Sequence, residues 1–283
     1  MRLFLTGLTA ASLAVACTPL QVQQTETAIS TALVSDADEV ALGTKIHEQL
    51  EHGGEGQAPI KYVTDPQVVS YVEGLVNKLA VFAKKDRSSD FHMHVINDPK
   101  TVNAFATPGG HLYVYTGLLL SSDNEAELVG VLGHEMGHVV AHHAARTLVE
   151  TFGMQTVLGL AVGKDPTMLA QVAGGVAGLA GQGVLLAHSR SDENEADGYA
   201  VKYAAEAGYD PHGIASFFQK LLKLQGNTPR LLTWLQTHPA TADRIAHVDA
   251  VIARDGLKGT DLGAERLAPI KQRLSASAPV SMR

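Results

Sequence analysis

The sequence predicts an α+β fold, mainly α-helical, with a small β-sheet beside one long buried helix. Three observations predict it. Apolar residues recur at helical spacing over residues 66–83 and again over 122–140. Between them, residues 91–95 alternate apolar and polar, and a Pro108-Gly109-Gly110 turn separates two further short β-rich runs. A hydrophobic content of 45% places the chain among globular domains, and the net charge of -7 without a basic run argues against a nucleic-acid partner.

Arg2, the apolar stretch 3–15 and the small residues before Cys17 read as a secretory signal peptide over 1–16, too short for a stable membrane span. Cys17 is the chain's one cysteine, so an intrachain disulfide is impossible. Leu13-Ala14-Val15-Ala16-Cys17 resembles a bacterial lipobox, which makes Cys17 the expected lipidation site and the bacterial periplasm, at the outer membrane, the expected location. Ala14-Val15-Ala16 also fits ordinary cleavage, which would leave a soluble periplasmic form. Residues 17–35, rich in Thr, Gln and Ser, are expected to tether this anchor to a folded domain over 36–275, with a disordered tail at 276–283.

Helices are expected near 36–51 and 66–83, the second opened by Asp65 as cap and Pro66 in the first turn, with Val69, Val72, Val76, Leu79 and Phe82 facing the core. Phe91, Met93 and Val95 then form a strand whose His92 and His94 face solvent. Residues 101–107 and 111–116 form two strands, closed by glycines that supply positive φ. Ser122 with Glu125 reads as a capping box for the next helix. The Gly- and Ala-rich run 170–187 carries no charge over 18 residues, but its glutamines and glycines make it a helical flap rather than a span. Helices near 211–225, 240–254 and 264–275 complete the domain.

The capped helix carries His134-Glu135-Met136-Gly137-His138. Residues four apart share a helix face, so both imidazoles can grip one metal ion while Glu135 stays free for proton work, the constellation of zinc peptidases. The pattern arises by chance in roughly one chain in a hundred of this length, so its surroundings decide. Gly137 costs the helix about 1 kcal/mol against alanine, which calls for something packed closely there. Ala141 and Ala144 stand where a metzincin has glycine and histidine, which excludes that class. A third ligand is then sought on a downstream helix, where Glu193 and Asp197 share a face: one can bind zinc and the other can orient a ligating imidazole. Glu195 points roughly 160° away from that face.

These motifs, with Asn103-Ala104-Phe105-Ala106-Thr107-Pro108-Gly109-Gly110, His143, the Glu193-x-x-Ala196-Asp197 element and Thr237-His238-Pro239 followed by Arg244, resemble the HtpX and CAAX-prenyl-protease family of gluzincin zinc metallopeptidases. The resemblance runs from about residue 36 to about 255 and is greatest with bacterial envelope lipoproteins of the BepA and LoiP type. It implies a zincin-like metallopeptidase domain, one Zn2+ per chain on His134, His138 and Glu193, and His238 near the metal as a transition-state stabiliser or an occluding group. It also implies an edge strand at Asn103, Ala104 and Phe105 that receives extended substrate as an added strand. Glu135 is the expected base, with His238 the second catalytic residue and Asp197 supporting a ligand from outside. His143 matches a family position and is expected to be a hydrogen-bonded structural histidine; His142 has no assigned role. The implied activity is endopeptidase cleavage of unfolded or misfolded envelope polypeptides in outer-membrane protein quality control. The alternative is a non-catalytic or latent assembly factor holding such chains in the same groove.

Overall fold

The computed structural model describes residues 34–53, 58–152, 166–181, 188–224, 232–239 and 241–277. The signal peptide, Cys17 and most of the tether lie outside these residues, as do positions 182–187 of the flap and the end of the tail. The chain begins with α1 (Asp36–His52), capped by Ser35, and α2 (Pro66–Asp86), capped by Asp65 with Pro66 at the first turn. Val34, expected in the tether, is buried. In α2 the core face is Val68, Val72, Leu75, Val76 and Leu79, with Val69 and Phe82 only partly buried on its flank.

Three short strands follow: β1 (His92–Ile96), β2 (Ala104–Ala106) and β3 (His111–Tyr115). The order is β1-β3-β2, with β1 parallel and β2 antiparallel to the central β3. The expected strand at 101–107 is therefore confined to three residues, and a 3-10 turn at Pro108–Gly110, with Gly109 at φ 76°, joins it to β3. The outer edge of β1 is covered by the preceding chain, where Val63 N–H donates to Val95 O and Asn97 N–H to Lys61 O. Among the described residues no further strand pairs with β2.

Both faces of this sheet are covered. Val95, Ala104, Leu112 and Val114 join the main core with α2, while Ile96, Phe105, Tyr113 and Tyr115 join a second cluster with Leu42, Ile46 and Leu50 of α1. That covering corrects the expected wet face of β1: α1 lies over it, and only His92 remains exposed while His94 is half-buried.

The chain continues through α3 (Thr116–Ser121), α4 (Glu125–Val140) and α5 (His143–Phe152). The cap of α4 lies two residues beyond the expected one. Asn124 accepts from Glu127 N–H, and the Glu127 carboxylate accepts from Asp123 N–H, whereas Ser122 turns back to the Leu118 carbonyl and ends α3. Downstream are α6 (Pro166–Gly181), α7 (Arg190–Glu206), α8 (Gly213–Leu224), α9 (Leu232–Thr237), α10 (Ala242–Asp255) and α11 (Ala264–Ser277). The last helix runs into the expected tail. Helix α6 packs on α1 through Val172, Ala173, Val176 and Ala177. Among the described residues no helix is long and apolar enough to cross a membrane.

Candidate metal centre

Helix α4 is buried along its whole length, and α7 lies directly against it. Small residues set the spacing. A Cβ at Gly137 would come 3.1 Å from Ala196 Cα and 2.9 Å from Tyr199 Cβ, and one at Gly133 would come 3.1 Å from Ala200 Cα. This is the close approach that Gly137 called for. Ser189 caps α7 in a reciprocal box with Asp192, so the first turn of α7 is fixed where Glu193 emerges.

The close pairing brings together His134, His138 and Glu193, and α9 delivers His238 to the same point. One ligand atom from each of these four buried residues lies within 4.8 Å of the others. His134 Nε2 is 3.0 Å from His138 Nε2 and 3.2 Å from His238 Nδ1. The Glu193 carboxylate lies 3.5 Å from His134 Nε2, 3.6 Å from His138 Nε2 and 2.9 Å from His238 Nδ1. Two ligands sharing a tetrahedral zinc at 2.0–2.1 Å stand roughly 3.3 Å apart, so these separations suit one ion. Glu135 Oε1 is buried without a hydrogen-bond donor among the described residues. Glu193 Oε2 also lacks an aligned donor, although Arg244 Nη1 lies 2.7 Å away in ionic contact. A buried pair of imidazole nitrogens facing carboxylate oxygens in this state fits a divalent cation.

Each α4 histidine is held from behind. His134 Nδ1 lies 2.9 Å from Asp197 Oδ1, and since that carboxyl is kept ionised, Nδ1–H donates and Nε2 is the atom turned toward the other ligands. Arg244 of α10 donates to both Asp197 oxygens, from Nε at 2.8 Å and Nη2 at 2.7 Å. His138 Nδ1 meets His143 Nδ1 at 2.7 Å, and His143 Nε2 reaches Glu195 at 3.3 Å. His143, expected as a hydrogen-bonded histidine, thus lies between His138 and the partly exposed Glu195. His142 takes φ 56° and pairs with Glu39 of α1 at 3.0 Å.

Electrostatics follow from burial and these partners. Burial raises the Glu135 carboxyl, against the pull of His238 and His134. Burial opposes ionisation of Asp197, but Arg244 and His134 hold it below the usual range; Glu193, likewise buried, is held well below by His238 and His134. Burial also works against a charged His134, yet Asp197 and Glu193 raise it to about 9. His138 is driven well below its ordinary value by burial and by the neighbouring His188, His134, His143 and His238.

Three features were not assigned from sequence. Arg244 was noted in a motif but given no partner. His188 stacks on His138 with centroids 4.0 Å apart, and Trp234 stacks on His238 at 5.0 Å. A lone histidine at the end of an apolar run and a lone tryptophan give no periodic signal.

The expected substrate edge is only partly a strand. Ala104 and Phe105 lie in β2, while Asn103 precedes it and accepts from Tyr115 N–H at 3.0 Å. All three are buried, Phe105 stacking on Tyr113 at 4.5 Å, so backbone rather than side chains is what β2 can offer. β2 lies against α4.

Comparison with known proteins gives the same picture. The chain is 30% identical over 221 residues to the beta-barrel assembly-enhancing protease of Yersinia pestis, covering 76% of this chain and 44% of that protein. It is 36% identical over 169 residues to metalloprotease LoiP of Escherichia coli K12, covering 56% of this chain and 62% of that one. It is also 32% identical over 214 residues to the mitochondrial metalloendopeptidase OMA1 of Arabidopsis thaliana, covering 71% of this chain and 41% of that protein. The chain thus spans less than half the length of the assembly-enhancing proteases it matches. Residues 66–252, well over half of the chain, match peptidase family M48, and with the buried histidine and glutamate cluster at their centre the chain belongs to that family.

Proposed function

We propose that this chain is a zinc-dependent endopeptidase of the bacterial envelope that cleaves extended or misfolded polypeptides. The observation that carries the reading is the convergence of His134, His138 and Glu193 beside a buried Glu135 oxygen that has no hydrogen-bond donor among the described residues. When bound there, zinc supplies Lewis acidity and lowers the pKa of water to about 7. Glu135 is the base: its raised affinity for a proton suits it to take one from water and return it to the departing amine. Asp197, clamped by Arg244, fixes the tautomer of His134, and His143 orients His138. Among the described residues no strand pairs with the outer edge of β2 beside α4, so substrate adds there as a strand and cleavage depends on extended conformation more than on sequence. Relatives named for beta-barrel assembly support beta-barrel proteins of the outer membrane as the substrate class, and the lipobox-like run ending at Cys17 supports a lipid anchor.

One observation favours a latent form of the same enzyme. His238 Nδ1 lies within the ligand group, 2.9 Å from Glu193 and 3.2 Å from His134, and a fourth protein ligand closes a zinc site that a peptidase needs open. Zinc content and cleavage of an unfolded polypeptide should be measured on the purified protein, Glu135→Gln and His238→Ala. Zinc in all three, cleavage lost in Glu135→Gln and increased in His238→Ala, is the expected result. Cleavage persisting in Glu135→Gln overturns the assignment of the base; stoichiometric zinc without cleavage in either the parent or His238→Ala favours a holding role.

A further inference from the structure

The sheet and α1 together build a second histidine cluster, separate from His134, His138, Glu193 and His238, with His111 directly after the Pro108-Gly109-Gly110 turn. His94 of β1 and His111 of β3 lie on the same face of the sheet, and α1 lays His47 over them. One nitrogen from each of the three lies within 4.8 Å of the others, and His94 Nε2 stands 3.1 Å from His111 Nδ1. The Tyr113 hydroxyl contacts His47 Nδ1 at 3.0 Å, an outer contact of the kind that fixes a ligand's tautomer and leaves Nε2 free. His92, exposed at the start of β1 with its ring 5.0 Å from that of His111, is a fourth imidazole within reach.

We propose that His47, His94 and His111 form a second metal site, for a divalent transition ion of the zinc or copper(II) class. Imidazole donors select that class over magnesium or calcium, which take oxygen ligands. The ligating form of histidine is the neutral one, and it is the form held here. Burial and the neighbouring imidazoles lower His94 to about 3 and His111 to about 4, and burial lowers His47 as well, so an ion displaces no proton at neutral pH. Partial exposure of all three residues leaves an entry path and room for water as a further ligand. An ion held there would cross-link α1 to the sheet, and through α1 the second core cluster containing α6.

The test is zinc stoichiometry by equilibrium dialysis on the whole protein, with thermal unfolding as a second readout. The parent is expected to bind two equivalents. His134→Gln/His138→Gln, which leaves the new site untouched, should keep one and unfold at a higher temperature when zinc or copper(II) is added. Adding His47→Gln/His94→Gln should remove both the remaining equivalent and the shift. His47→Gln/His94→Gln in the parent background should bind one equivalent, which keeps the test open if the first double variant does not fold. A parent that binds one equivalent, or a second equivalent that survives His47→Gln/His94→Gln, overturns the proposal and leaves a stacked aromatic cluster.

Discussion

Arg244 grips both carboxylate oxygens of Asp197, with Nε at 2.8 Å and Nη2 at 2.7 Å, in a site from which solvent is excluded. A planar fork matches a carboxylate in a way that a lysine ammonium cannot. Arg244→Lys is therefore expected to weaken zinc binding by roughly 10- to 100-fold, the range for losing an outer partner of a ligating histidine. Competition with a chelator measures it. Unchanged affinity would show that Asp197 orients His134 without the clamp.

Gly137→Ala opposes two effects. Alanine gains about 1 kcal/mol of helix propensity, but its Cβ would meet Ala196 and Tyr199 at 2.9 to 3.1 Å. Overpacking costs about 1–3 kcal/mol, and here it pushes apart the helices that carry the ligands. Loss of stability in urea together with weaker zinc binding is expected. A more stable protein with full zinc affinity would sink the spacing argument.

Glu39 of α1 is buried, where it pairs with Arg87 at 2.8 Å and with His142 at 3.0 Å, and Arg87 Nη1 also donates to the Val139 carbonyl near the end of α4. Glu39→Ala leaves a guanidinium without its buried partner, a loss of about 3–5 kcal/mol. Chemical denaturation tests this, and a change below about 1 kcal/mol would mean that Asp36, 2.5 Å from Arg87, takes over.

The sheet histidines predict an acid-labile fold in the metal-stripped protein. With folded values of about 3 for His94 and about 4 for His111, against 6.5 unfolded, the unfolded chain binds more protons throughout the interval between. The contribution of these two histidines should be complete above about pH 6.5 and decline as the pH falls below it, whereas His134, raised to about 9, adds stability that is lost as the pH climbs from 6.5 through 9. The groups around the cluster are His47 and His92, with Glu48, Glu51 and His52 near His47, and the glutamates soften the effect without reversing it. His138 and His188 contribute in the same direction. His94→Gln should flatten the slope of stability between pH 6.5 and 4.5; an unaltered slope would refute the reading.

The α4 motif was legible because helical spacing is local and places His134 and His138 on one face without reference to the rest of the chain. The shared face of Glu193 and Asp197 was legible for the same reason, while which of them would bind the ion came from the family resemblance. The cap of α4 was misread because two overlapping signals compete, Ser122 with Glu125 and Asn124 with Glu127, and the short α3 uses Ser122 first. The parallel pairing of β1 with β3 has no local signature, so neither the burial of His94 nor its meeting with His47 could be read along the chain. Helix α9 is six residues long, too short for periodicity to declare it.

The ligands of the candidate metal centre come from two helices whose register depends on glycine and alanine facing one another across their contact. Fifty-odd residues of chain separate His138 from Glu193, so the two meet only where α4 and α7 dock. A newly made or refolding molecule therefore has no complete site until α4 and α7 have docked. With the activity proposed above, an unfinished chain would be inert toward its neighbours, and occupancy of this centre, as distinct from the sheet site, would count the molecules in which α4 and α7 have docked.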